Sequence, residues 1–129
     1  MKRLAAFGPA LAWALTMLYF SLIPGTSIPS VLIQFDDLFM HWGMYFLNYI
    51  LFYQGFINWN FNTPVQKKYV WILFLVSVGI GGLLEIIQEY AVERRDGSWS
   101  DLGANTIGSL IGLSLISYLH VKQLKRHRT

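Results

Sequence analysis

The chain contains no cysteine. That excludes disulfide frameworks, thiolate nucleophiles and zinc or iron–sulfur sites built on cysteine. Charge is scarce as well. Asp, Glu, Lys and Arg make up 13% of the 129 residues, about half the roughly one-quarter carried by ordinary soluble domains. So little charge leaves too little polar surface to cover a water-soluble globule of this size. Internal repeats and low-complexity tracts are absent too, and the length fits a single domain spanning residues 1–129.

What fills the chain is apolar: 54% of it is hydrophobic and 16% aromatic. These residues gather in four blocks, Leu4–Ile23, Leu38–Ile57, Tyr69–Ile87 and Leu102–Leu119. Each is close to the ~20 residues a helix needs to cross a hydrocarbon core of about 30 Å. A segment in that environment must satisfy its own backbone hydrogen bonds, so helices are expected. One such block could be a buried soluble helix; four together predict an all-α polytopic membrane protein with four transmembrane helices. The first block follows Lys2-Arg3, as in a signal peptide. It is longer than a signal core and ends Ser21-Leu22-Ile23-Pro24-Gly25 without an A-x-A-like site, so it is read as a retained helix.

The net charge of +3 suggests a nucleic-acid binder until its distribution is followed. Lys2, Arg3, Lys67, Lys68, Lys122, Lys125, Arg126 and Arg128 fall on one side of the four blocks; only Arg94 and Arg95 fall on the other. The positive-inside rule then places both termini in the cytoplasm, the localisation being the cytoplasmic (inner) membrane. All seven acidic residues lie on or near the opposite, external side, which leaves +8 inside and −5 outside. No nucleic-acid partner is expected, and the basic tail is an orientation signal facing membrane lipid. Pro24-Gly25, Pro29, the stretch Asn58–Pro64 and Asp96-Gly97 turn the chain between blocks, and Pro9 is expected to kink the first helix. Trp59, Tyr69 and Trp71 would mark one interface, Tyr90 and Trp99 the other.

Polar residues inside apolar helices are costly and therefore informative. Asp37 starts the second block and His41 follows at i+4, about 6 Å deeper on the same face. Glu85 and Gln88 close the third; Asp101 and Asn105 open the fourth. All three pairs fall at the external ends of their helices, within about a turn of one depth. Ala104, Gly108 and Gly112 form a small-residue stripe, and Gly79, Gly81 and Gly82 lie just below Glu85. Such stripes admit close helix packing, and Gly108/Gly112 also offer a surface for homo-oligomers. Each feature has a plainer reading: Asp36 and Asp37 as helix-start acids, Ser98-x-x-Asp101 as a capping box, His41 as a core histidine. The remaining aromatics, the methionines and the tyrosines of the second block read as packing, and His120 and His127 as tail residues.

Asp37-xxx-His41, Glu85-Ile-Ile-Gln88 and Arg95-xx-Ser98-xx-Asp101-xxx-Asn105-Thr-Ile-Gly108 together resemble the VanZ-like family of small bacterial membrane proteins. The resemblance covers roughly residues 36–112. The family pattern has Asp-Lys before the histidine, where this chain has Leu38, with Asp36 as a second register. The family is named for an accessory protein associated with glycopeptide-antibiotic resistance. The resemblance implies a multi-helix membrane protein with clustered motif residues and supplies no reaction.

Two functional classes follow. The first is a membrane-embedded enzyme acting on a lipid-linked or phosphorylated envelope headgroup. His41, Glu85, Asp37 and Asp101 are its catalytic candidates, and Gln88, Arg95 and Asn105 its substrate-binding candidates. A metal held by His41 with Asp37, Glu85 or Asp101 is compatible with this set, although no closed ligand signature is present. The second is a non-catalytic binding or protective module, engaging an envelope component or a glycopeptide, whose polar cluster is structural. A proton path is disfavoured because the inner halves of the blocks carry no ionisable side chain besides tyrosine.

Overall fold

A computed structural model of the protein describes residues 2–28, 37–60 and 65–126. The expectations attached to Pro29, Asp36, the end of the Asn58–Pro64 turn and His127 lie outside these residues. Every regular element among the described residues is helical. They are α1 (Lys2–Ala5), α2 (Gly8–Leu22), α3 (Asp37–Phe56), α4 (Lys67–Ala91) and α5 (Trp99–Arg126), with a short 3-10 turn at Gly25–Ser27.

Proline and glycine set the breaks. Pro9 stands in the first turn of α2, where its missing N–H costs nothing, and a turn at Ala6-Phe7 separates α1 from α2. The expected kink is thus a full interruption of the first apolar block. Pro24 follows the end of α2 and prevents its continuation. Helix α3 ends with Asn58 and Trp59 in the left-handed region, their amides bonded back to Gly55 and Gln54. Helices α4 and α5 outrun their apolar blocks, to Ala91 and Arg126 respectively. Glu, Gln, Lys and Leu are good helix formers, so the helix continues where hydrophobicity stops. Ser98 caps α5, its Oγ accepting from the Asp101 amide at 3.4 Å.

The four long helices run up-down-up-down. At one end Trp59 donates to the Ala6 carbonyl (2.9 Å) and Tyr53 is hydrogen-bonded to His120 (2.9 Å). At the other, Gln88 donates to the Ser21 carbonyl (3.0 Å). The most extensive helix contact is α3 against α5. Gly108 makes it possible: a Cβ there would collide with the Trp42 carbonyl, and one at Gly112 would press on Tyr49 at 3.1 Å. The small-residue stripe read as an oligomer surface is therefore taken up within the chain. Gly81 serves α4 in the same way, facing Tyr45 and Asn105, whereas Gly79 meets nothing within 4 Å.

Burial is inverted relative to a water-soluble fold. Among the described residues, as many polar or charged side chains are buried as apolar ones. Leu11, Leu15 and Leu18 of α2, Leu75, Ile80, Leu83 and Ile86 of α4, and Ile107, Leu110 and Ile111 of α5 all face outward. Two described helices, Lys67–Ala91 and Trp99–Gln123, are long and apolar enough to cross a membrane, and Gly8–Leu22 is a shorter apolar helix.

Candidate functional site

Helix periodicity puts Asp37 and His41 on one face of α3, and Asp101 and Asn105 on one face of α5. Packing of α3 on α5 brings the two faces together. His41 Nδ1 lies 3.0 Å from Asn105 Oδ1, and Asn105 Nδ2 donates to Glu85 Oε1 at 3.4 Å. Glu85 also accepts from the Ser98 amide at 3.1 Å through its other oxygen. Asn105 is completely buried, and His41, Glu85 and Asp101 are each less than a tenth exposed.

With Glu85 as a carboxylate, this chain of bonds runs in one sense. A carboxylate oxygen accepts, so the amide of Asn105 turns its NH2 toward Glu85 and its oxygen toward His41. That oxygen also only accepts, so His41 Nδ1 carries the proton. In the neutral ring the lone pair is then on Nε2. Nε2 faces away from Glu85, toward Asp37 Oδ1 at 3.8 Å, and has no hydrogen-bond partner among the described residues. Asp37, His41 and Asp101 each offer one ligand atom within 4.8 Å of the others. Glu85 approaches the opposite nitrogen, 3.7 Å from Nδ1.

The sequence-predicted residues thus divide by role. Asp37, His41 and Asp101 line an open polar cavity of about 450 Å³ together with Gln88, Arg94, Arg95, Asp96 and Ser98. Glu85 and Asn105 stand behind His41 and orient it. Gln88 and Arg95 also have structural work: they donate to the carbonyls of Ser21 (3.0 Å) and Phe20 (3.5 Å) in the last turn of α2. These carbonyls lack intrahelical partners, so the two side chains cap α2 across the bundle. The loop after α4 docks on the turn after α2, where Gly25 donates to the Glu93 carbonyl (3.2 Å) and has no room for a Cβ beside the Arg94 carbonyl. Arg94 takes a left-handed backbone (φ 55°) at this contact, a conformation uncommon for non-glycine residues.

A second cavity of about 470 Å³ opens from the same three residues, Asp37, His41 and Arg95, and runs between α2 and α3. Its walls are Trp13, Met17, Phe20, Ile28, Met40 and Met44. Sequence reasoning takes the methionines and aromatics among these as packing or lipid contact, and their grouping depends on how α2 meets α3, which no single helix face shows. His120 is a further residue passed over. It is buried and hydrogen-bonded to Tyr53, although it sits beside the basic tail. Its isolation among Tyr118, Leu119 and Val121 was the available signal.

The fold and site together define an all-α protein with a buried polar cluster at one end of an apolar-surfaced bundle. Comparison with family models, with curated proteins and with solved structures gave no match.

Proposed function

We propose that the chain is an integral membrane protein of the VanZ-like type, with four spanning helices, both termini cytoplasmic and the polar site facing outward. The site takes the anionic headgroup of an envelope amphiphile and acts on it, with His41 Nε2 as the base. One observation carries this reading: the polar cavity and the apolar α2–α3 cleft share Asp37, His41 and Arg95. A headgroup in the first leaves a hydrocarbon chain in the second, beside the guanidinium that pairs with an anion. An imidazole whose Nδ1 proton is held by a neighbour presents Nε2 for proton transfer, provided a substrate proton comes within hydrogen-bond reach. Glycopeptide susceptibility would change through the altered headgroup.

The alternative is a non-catalytic binding or protective module with a structural cluster. The bonds from Gln88 and Arg95 to α2 favour it, since both side chains are already engaged. Native mass spectrometry of detergent-purified protein separates the two. The wild type should retain anionic amphiphiles over neutral ones of equal chain length, and His41→Gln should retain them without converting them. Equal retention of anionic and neutral headgroups sinks the proposal. Topology is tested by a reporter fused after Thr129, which should report cytoplasm.

A further inference from the structure

The geometry points to a divalent transition-metal site formed by Asp37, His41 and Asp101, with the bare Nε2 of His41 as its nitrogen ligand. It rests on the proposed reading of the same cavity and revises one role in it: with a cation held beside the headgroup, the Nε2 lone pair is a ligand and no longer the base. Acids at helix starts are common, because the N-terminal dipole favours negative charge. That accounts for Asp37 and Asp101, which stand in the first turns of α3 and α5. It does not account for an imidazole only 6% exposed whose Nε2 lies 3.8 Å from Asp37 Oδ1 without a hydrogen bond from the described residues.

The support behind the ring is the second observation. A metal-binding histidine ordinarily donates its other N–H to an acceptor that fixes tautomer and ring plane. Asn105 Oδ1 does this at 3.0 Å; Glu85 accepts from Asn105 Nδ2 and is itself held by the Ser98 amide. The same arrangement excludes Glu85 as a ligand, because it lies on the Nδ1 side. Ligand distances of about 2.0–2.2 Å require ligand atoms roughly 3–3.5 Å apart. Nε2 and Asp37 Oδ1 are at 3.8 Å and all three ligand atoms lie within 4.8 Å of one another. The Asp37 side chain is 74% exposed, free to swing the remaining distance.

One nitrogen and two carboxylate oxygens suit zinc or manganese. Three protein ligands leave coordination positions open toward the cavity, as in catalytic rather than structural sites. Arg95 lines the same cavity, so an anionic oxygen held there would have metal and guanidinium as partners. The cation would supply Lewis-acid polarisation of that oxygen.

The test is isothermal titration of the full-length, chelator-treated protein in detergent with Mn2+ and, separately, Zn2+, without any lipid ligand. At least one ion should bind with a stoichiometry of one per chain. His41→Gln and Asp101→Asn should each weaken binding at least about 10-fold, and Asn105→Leu about 10–100-fold through the freed ring. Glu89→Gln, outside the cavity, should bind as wild type. If buried substitutions do not fold, as judged by circular dichroism, Asp37→Asn decides, because its side chain is exposed: a loss of about 10-fold or more upholds the site. Failure of both ions to bind stoichiometrically, or unchanged binding in Asp37→Asn, overturns it. Headgroup retention by metal-free protein would then still stand on its own measurement.

Discussion

His41 Nδ1 and Asn105 Oδ1 meet at 3.0 Å across the α3–α5 contact, 64 residues apart in sequence. The bond sets the tautomer of the ring. Nitrogen chemical shifts of a protein labelled in its histidine rings should show His41 protonated at Nδ1 and bare at Nε2 in the neutral form. The reverse pattern would mean that the amide of Asn105 is turned around and the whole relay with it.

Glu85 accepts through both oxygens, from Ser98 N and Asn105 Nδ2. Glu85→Gln turns one of these oxygens into a donor that faces a donor. An unsatisfied buried group costs about 1–3 kcal/mol, so the thermal midpoint in detergent should fall. A midpoint at or above that of the wild type would show Glu85 to be strained and kept for chemistry instead.

Two glycine substitutions on α5 should diverge. Gly108→Ala drives a methyl into the Trp42 carbonyl and must part α3 from α5, whereas Gly103 meets nothing within 4 Å. Gly103→Ala should stabilise by about 0.5–1 kcal/mol through helix propensity, while Gly108→Ala should lower the midpoint by many degrees. Equal effects would place the α3–α5 contact elsewhere.

At the opposite end, Tyr53 is the hydrogen-bond partner of buried His120, whose Nε2 has none among the described residues. Tyr53→Phe should cost about 0.5–1.5 kcal/mol, the net value of one hydrogen bond, or more if the ring is left wholly unsatisfied. In a double-mutant cycle with His120→Leu the penalty should largely vanish. Additive losses would show that the two side chains are not coupled.

Much of the site is legible along the chain. Asp37 with His41, Glu85 with Gln88, and Asp101 with Asn105 are paired by helical spacing alone, and the order of apolar blocks puts all three pairs at one end. Ser98 reads directly as a cap and serves as one. The roles within the cluster are another matter. Spacing cannot show that Asn105 stands between His41 and Glu85, or that Gln88 and Arg95 turn to the end of α2. The plain reading of His120 as a tail residue fails because α5 runs on past its apolar block and carries the ring back against α3.

The sequence by itself determined the helical blocks, the end of the bundle at which polar residues gather and the stripe that lets backbones approach. These are properties of one segment at a time, set by local propensity and a period of 3.6 residues. Tertiary structure decided which partner each polar group meets: that Gly108 receives α3, that His41 stands between Asn105 and Asp37, and that an apolar cleft opens beside them. Those outcomes depend on the rotation and depth of one helix against another. They are fixed by side-chain volumes far apart in the chain, which no local pattern records.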